Sequence, residues 1–331
     1  MPFALSLLGR IKGCLYSTRK IPGGFTLNRT GIGLSTGDFN TYNFFSMGKI
    51  GIIGGSGLYE METLKNKEYI KVDTPFGSPS DKYITGCLNS REVVFLPRHG
   101  HGHSILPSEL NFMANIFGLK VLGVDQILSV SAVGSLKKEI APGDIVIPFQ
   151  FYDHTRFRPS TFFGNGIVGH VSFAEPICLN AADIVFSAAQ KAGAKVHKGG
   201  TYICIEGPQF STRAESNIYR SWGMDIIGMT NVNEAKLARE AEICYTTIAL
   251  STDYDCWYEE EESVTADSVI EVIKKNIHMA RKIITECVVM LPEKRECSCV
   301  NMLENAIMTD PKIIPDEIKK NLKPIIGKYI K

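Results

Sequence analysis

Lys49-Ile50-Gly51-Ile52-Ile53-Gly54-Gly55-Ser56-Gly57 is the stretch that decides the fold class of this chain. An apolar run of strand length opens directly into a glycine-rich turn, as a buried parallel strand does when it hands over to a ligand-binding loop. Working outward, further β-rich runs stand at 92–96, 126–130, 144–149, 201–205, 225–229 and 244–250, with helical patterns at 108–119, 181–192, 213–222 and 233–241 between them. A longer helix, from about 267 to 287, carries Val269, Ile273, Ile277, Ala280, Ile284 and Val288 at spacings of three and four, a core-facing stripe. This alternation predicts an α/β protein. Nothing reads as a linker or an internal repeat, so residues 47–300 are expected to form one catalytic domain and 301–331 a helical tail.

With 331 residues, 44% of them hydrophobic and 21% charged, the chain can bury a large core. A net charge of +1 gives no electrostatic reason to expect nucleic acid or an anionic membrane as a partner. No stretch reaches the roughly 18 consecutive apolar residues of a membrane span. The nine cysteines, among them Cys204, Cys244 and Cys287 in apolar runs, suit reduced core residues and a cytoplasmic setting. The pair Cys297 and Cys299 stands apart, its redox state open. Residues 1–46 carry Arg10, Lys12, Arg19, Lys20 and Arg29 against one acid, Asp38. That composition suits an organellar transit segment, and it suits equally a stretch upstream of a start at Met47.

Asp253 and Asp255 follow the run 244–250, two residues apart. At period two both carboxyls leave on one side of a strand. An ionised carboxylate accepts hydrogen bonds and a protonated one also donates, so the pair could read a ring offering both a donor and a basic nitrogen. An acidic surface turn is the alternative. Gly54–Gly57 could cradle an anion, with Ser56 adding a donor, or be a plain tight turn; the third glycine of a dinucleotide loop and the lysine of a P-loop are both missing. Arg98 and His99 after the run at 92–96 suit forked recognition of phosphate. His99, His101 and His103 alternate, which invites a metal reading, but a fixed cation at Arg98 repels a metal ion, so no metal is expected. Ser131 and Thr230 also follow strand-like runs, where hydroxyls often cap helices. Thr212 and Glu215 have capping-box spacing, and Phe210 just before them could stack on a heterocycle.

Together and in this order, these pieces resemble the S-methyl-5′-thioadenosine phosphorylases of the purine nucleoside phosphorylase superfamily. The resemblance runs from about 49 to 291 and rests on Ile52–Leu58, Asp73-Thr74-Pro75-Phe76-Gly77, Pro97-Arg98-His99-Gly100, Ala174-Glu175-Pro176, Ile205–Ser211 and Thr252–Trp257. It implies a mixed central sheet, partly closed as a barrel and flanked by helices, in a homotrimer. It implies cleavage of the N-glycosidic bond by inorganic phosphate, giving adenine and 5-methylthioribose 1-phosphate with no cofactor. By the same resemblance Ser56, Arg98, His99, Ser131, Ala132 (through its backbone) and Thr230 would hold phosphate. Phe210, Ser211, Met229, Asp253 and Asp255 would hold the base. His103, Ala266, Val269, Ile270 and a neighbouring subunit's copy of His170 would surround the 5′-methylthio group. Animal members carry threonine at Ser56 and Ser131 and valine at Ala266, while Cys297-Ser298-Cys299 is closer to bacterial and archaeal members.

In that reading Asp253 protonates N7 of the leaving purine, which requires a pKa raised above the usual 3.9 or so by burial and neighbouring negative charge. Two rivals stand: a phosphorylase of 6-oxopurine nucleosides or methylthioinosine, and a nucleotide-binding protein without chemistry. Asp255 disfavours the first, because an ionised carboxylate repels a 6-oxo group. The acid pair itself is left without a role in the second.

Overall fold

The computed structural model describes residues 26–28, 31–33, 48–258 and 266–330, with the side chains of 26–28, 31–33, 56, 266–271 and 273 outside the described set. In chain order the strands are β1 (Thr26–Asn28), β2 (Gly31–Gly33), β3 (Lys49–Gly54), β4 (Lys65–Ile70), β5 (Tyr83–Leu88), β6 (Arg91–Pro97), β7 (Val124–Ser135), β8 (Ile145–Ile147), β9 (Gln150–His154), β10 (Val196–Lys198), β11 (Thr201–Ile205), β12 (Ile226–Gly228) and β13 (Cys244–Asp253). The helices are α1 (Phe112–Val121), α2 (Leu179–Lys191), α3 (Arg213–Ser221), α4 (Asn231–Glu240), α5 (Ala266–Met290), α6 (Asp316–Asn321) and α7 (Lys323–Ile326). β1 and β2 form a separate antiparallel pair.

The other eleven strands form one mixed sheet with the path β10-β8-β13-β7-β3-β6-β5-β4. β3 lies between β7 and β6, parallel to both, and its apolar residues Ile50, Ile52 and Ile53 are buried, as the opening run of sequence predicts. β7 reaches twelve residues, well past the expected end at Val130, and its last turn of pairing goes to β12, which continues to β11 and β9. Only Pro148 and Phe149 separate β9 from β8, and β8 pairs back onto β13. The sheet therefore curls into a partial barrel between β7 and β13. Val133, Val146, Tyr202, Cys204, Ile226 and Ala249 fill its interior.

α2 and α5 pack on one another and on β13. The expected stripe of α5 is inside from Ala280 onward, where Ala280, Ile284 and Val288 have no exposed surface. Burial of each of the two larger side chains contributes about 1.5–3 kcal/mol. Leu303, Ala306, Ile314, Leu322, Ile325 and Ile326 of the C-terminal segment join the main core. Among the described residues no helix is long and apolar enough to cross a membrane.

Candidate active site

The ends of β3 and β6 lie together beside Ser129 in the middle of β7, and the turn after β6 is fastened beneath the glycine loop: the Arg98 backbone N–H donates to Gly54 O at 2.9 Å. From the other side Arg281 of α5 donates its Nε–H to Gly57 O at 2.7 Å. Ile277 lies so close that a Cβ on Gly57 would stand 3.2 Å from it. Ser56 opens the single 3-10 turn Ser56–Leu58, its hydroxyl among the side chains outside the described set.

Beneath this rim runs a connected, buried polar network. Arg98 donates Nε–H to Glu234 Oε1 at 2.5 Å, one Nη2–H to Glu234 Oε2 at 3.2 Å and the other to Ser129 Oγ at 2.6 Å, and an Nη1–H to Val130 O at 2.7 Å. Tyr245 Oη and Ser129 Oγ both donate to Glu234 Oε2. Asn231 links Ser129, Thr247, Tyr202 and Thr230, and Tyr202 Oη lies 3.5 Å from Ser131 Oγ. Three of the residues assigned to phosphate, Arg98, Ser131 and Thr230, thus belong to one network. Thr230 stands at the N-cap of α4 without capping it, so its hydroxyl is not consumed by the helix. The forked geometry of Arg98 that suggested phosphate is taken by Glu234; of five N–H groups four are committed, leaving one on Nη1. A guanidinium this deep in the free protein requires a counter-charge of its own.

His99 holds Ile105 O at 2.9 Å through Nδ1, and its ring stacks on that of His103 with centroids 4.3 Å apart. Burial, and then the Arg98 charge, push its pKa down to about 4. The ring is neutral, Nδ1 carries the proton, and Nε2 offers a lone pair. Donation to phosphate would require the anion to bring a proton or raise that pKa. His101 lies exposed on the turn His101–His103, and among the described residues the three histidines do not converge as metal ligands.

The acid pair departs from the period-two reading. The β7–β13 register shifts between Ser251 and Asp253, and Asp255 has a positive φ of 54° at the start of the 3-10 turn Asp255–Trp257. A bulge and a turn, not strand alternation, place the two carboxyls together. Asp253 accepts the Asp255 backbone N–H at 2.8 Å and the Thr252 hydroxyl at 2.7 Å. Burial raises the Asp255 pKa from its ordinary value; the nearby Ser216 hydroxyl, which meets no partner at good hydrogen-bonding geometry, offsets this in part, and the Asp253 charge adds to it. Both acids sit over bare backbone: a Cβ on Gly134 would stand 3.1 Å from Asp253 Oδ1 and 3.3 Å from Asp255 Cβ.

Cys256 Sγ, 3.3 Å from Ser211 O, ties the segment before α3 to this acid turn. Ser211 Oγ is buried without a partner, an orphaned donor and acceptor beside the acids. Phe210 is 85% exposed, a large aromatic face with nothing covering it. Thr212 and Glu215 form the expected capping box. Met229 packs its sulfur against Gly207 of the same segment.

Residues 49–289 match the phosphorylase superfamily model. This chain belongs to the phosphorylase superfamily. It is 58% identical over 282 residues, 85% of this chain and 99% of the relative, to S-methyl-5′-thioadenosine phosphorylase of Geobacter sulfurreducens. It is 52% identical over 263 residues, 78% of this chain and 95% of the relative, to the protein of the same name from Hyperthermus butylicus. Among solved structures, a methylthioadenosine phosphorylase from an Antarctic soil metagenomic library superposes with a TM-score of 0.82 at 48% identity, covering 84% of this chain and 98% of that one. A variant adenosine/methylthioadenosine phosphorylase from Schistosoma mansoni, in complex with methylthioadenosine, gives 0.70 at 36% identity, covering 85% and 98%.

On this superfamily framework the remaining residues divide. Ala132 lies in β7 beside Ser131, paired with Leu250 of β13. Ala266, Val269 and Ile270 are in the first turns of α5, their side chains outside the described set. His103 is brought to the site by its stack on His99. His170 is exposed and held by the tail, its N–H donating to Ala306 O at 2.8 Å; no described contact links it to the acids or to Arg98. Sequence reasoning missed Glu234 and Arg158. The buried Arg158 pairs with Glu206 at 2.9 Å and donates to the carbonyls of Glu206 and Met229, clamping the base-side segment. Charge in a helical or loop run carried no sign that either would be interior.

Proposed function

We propose that this protein catalyses phosphorolysis of S-methyl-5′-thioadenosine, giving adenine and 5-methylthioribose 1-phosphate. The observation that supports it best is the acid turn: two carboxyls on bare backbone, Asp255 raised by burial, with the orphaned Ser211 hydroxyl alongside. The relatives at 58% and 52% identity carry that substrate in their names.

A phosphate oxygen bonds to C1′ as the C1′–N9 bond breaks, and the bond's electron pair leaves with the purine. Neutral adenine leaves readily only if N7 gains a proton. Asp253, which the structure leaves exposed and not buried as the sequence reading required, supplies it. Asp255 faces the 6-amino group. Ser131, Thr230, the backbone at Ala132, the remaining Nη1–H of Arg98 and the Ser56 loop hold phosphate against C1′. Phe210 covers the base and Met229 lies beneath it. We further propose a homotrimer in which His170 of one subunit completes the 5′ site of the next, and a cytoplasmic location. The test is adenine release from methylthioadenosine with and without phosphate, with methylthioinosine as the 6-oxo control. Equal release without phosphate, or preference for methylthioinosine, overturns the proposal.

A further inference from the structure

Outside the active site, Cys178, Cys244, Cys297 and Cys299 bring their four Sγ atoms within 4.8 Å of one another. All four are free thiols, three of them buried and Cys297 half-buried. They come from three separate places in the fold: the residue before α2, the first residue of β13, and both ends of Cys297-Ser298-Cys299 at the turn beyond α5. The Cys178 N–H donates to Tyr245 O at 3.0 Å, which sets the first two side by side. Four sulphurs around one zinc ion, each at about 2.3 Å, lie about 3.8 Å apart. Here Cys244 and Cys297 stand 3.2 Å apart and no pair is beyond 4.8 Å, so the spacings bracket that value and an ion would have to spread the Cys244–Cys297 pair.

Two arginines supply a second, independent observation. Arg239, 7% exposed, directs Nη1 toward Cys299 Sγ at 3.9 Å and Met302 Sδ at 3.5 Å, and Nη2 to the carbonyl of Glu175. Arg295 directs Nη1 to Cys244 Sγ at 3.7 Å and Glu242 O at 2.8 Å, while its Nε pairs with Asp125. Each guanidinium also keeps oxygen partners, and each still turns an N–H toward a sulfur of the cluster. Four thiolates around a divalent cation carry a net charge of −2, and N–H donors to coordinated sulfur are the usual outer support of such a site.

We infer that these four cysteines form a structural zinc site that pins the C-terminal segment to β13 and α2. A closed four-thiolate site leaves no open position for substrate, so its role is to hold the fold. What it holds bears on the active site. The segment beyond Cys299 carries Ala306 and Met308, whose backbone bonds to His170 and Val168 fix the loop that presents His170.

The test is metal content of protein purified without a histidine tag or chelator. About one zinc per chain is expected, and a Cys178→Ser, Cys299→Ser double variant should lose it. Refilling zinc-depleted protein with Co²⁺ should give thiolate charge-transfer absorption, and X-ray absorption of the zinc protein should show sulfur ligands only. Depletion should speed hydrogen exchange at the amides of His170 and Met308 before it reaches β3. If the double variant does not fold, the wild-type metal content and its sulfur coordination decide alone. The inference is overturned if no zinc is taken up while all four thiols titrate as reduced, or if mass shows the cysteines oxidised in pairs.

Discussion

The Arg98 guanidinium is gripped by both carboxylate oxygens of Glu234, at 2.5 and 3.2 Å, with 4% and 2% of the two side chains exposed. The charge expected to meet phosphate is already neutralised in the free protein. Arg98 therefore holds a buried network, and under the proposed function it also offers its one remaining N–H to an anion.

Removing one partner of such a pair leaves an uncompensated buried charge, a cost of about 3–5 kcal/mol. Arg98→Ala and Glu234→Ala should each lower the melting temperature strongly. The double replacement Arg98→Met, Glu234→Leu should recover most of that loss, as coupled sites do. It should not recover phosphate binding, read as the apparent KM for phosphate. Stability recovered together with a wild-type phosphate KM would remove Arg98 from the anion site.

Glu240 gives a pH prediction of definite sign. Burial raises its pKa to about 7, against the N–H of Phe162 and the hydroxyl of Thr161, which lower it. Between about pH 4.5 and 7 the folded state holds more protons here than the unfolded state, so this group's contribution falls as pH rises. Its stabilising share is present below about 4.5 and lost on passing 7. Glu240→Gln keeps the shape without the charge, so its melting temperature relative to wild type should climb between pH 5 and pH 8. A constant difference over that range would refute the buried-acid account.

What the sequence made legible follows from locality. β3, β6 and β11 are apolar runs whose burial is set by their own residues, and the Thr212–Glu215 cap lies within one helical turn. β4, Lys-Asn-Lys-Glu-Tyr-Ile, escaped because it is an edge strand with its charges in solvent. The end of β7 escaped because Ser131 faces Tyr202, 71 residues away in sequence, while Ser135 turns its hydroxyl into a local bond with Lys137. Glu234 is interior only because Arg98 and Ser129, 136 and 105 residues away in sequence, meet it there. Cys178 and Cys244 are far apart in sequence from Cys297, so the four-cysteine cluster could not be read from spacing. For the acids it is the expected strand geometry that fails, since a bulge is a backbone event that residue types do not announce.

The acid pair separates by substitution. Asp253→Asn should lower kcat by about 10²–10⁴-fold with a smaller change in KM, the usual share of general acid–base catalysis. Asp255→Asn should instead relax base choice, because an amide can turn oxygen or NH₂ toward position 6. The readout is kcat/KM for methylthioadenosine against methylthioinosine. An unchanged ratio in the Asp255 variant would mean that this half-buried carboxyl does not face the base edge.

His170 tests assembly and site together. Its loop bends through positive φ at Gly164, Asn165 and Gly166, and the Gly169–Ile307 bridge holds it against the tail, so the ring is presented outward on a fixed base. An exposed histidine on a braced loop, without a described contact to its own chain's acids, suits a residue that serves a neighbouring subunit. Two variants, His170→Ala and Asp253→Asn, should each be nearly inactive. Unfolded together and refolded as mixed oligomers, equal amounts should regenerate about a quarter of the sites, each pairing an intact Asp253 with an intact His170 from the next subunit. Dilution to monomers should abolish that activity. If mass measurement confirms mixed oligomers and no activity returns, His170 acts within its own chain or takes no part.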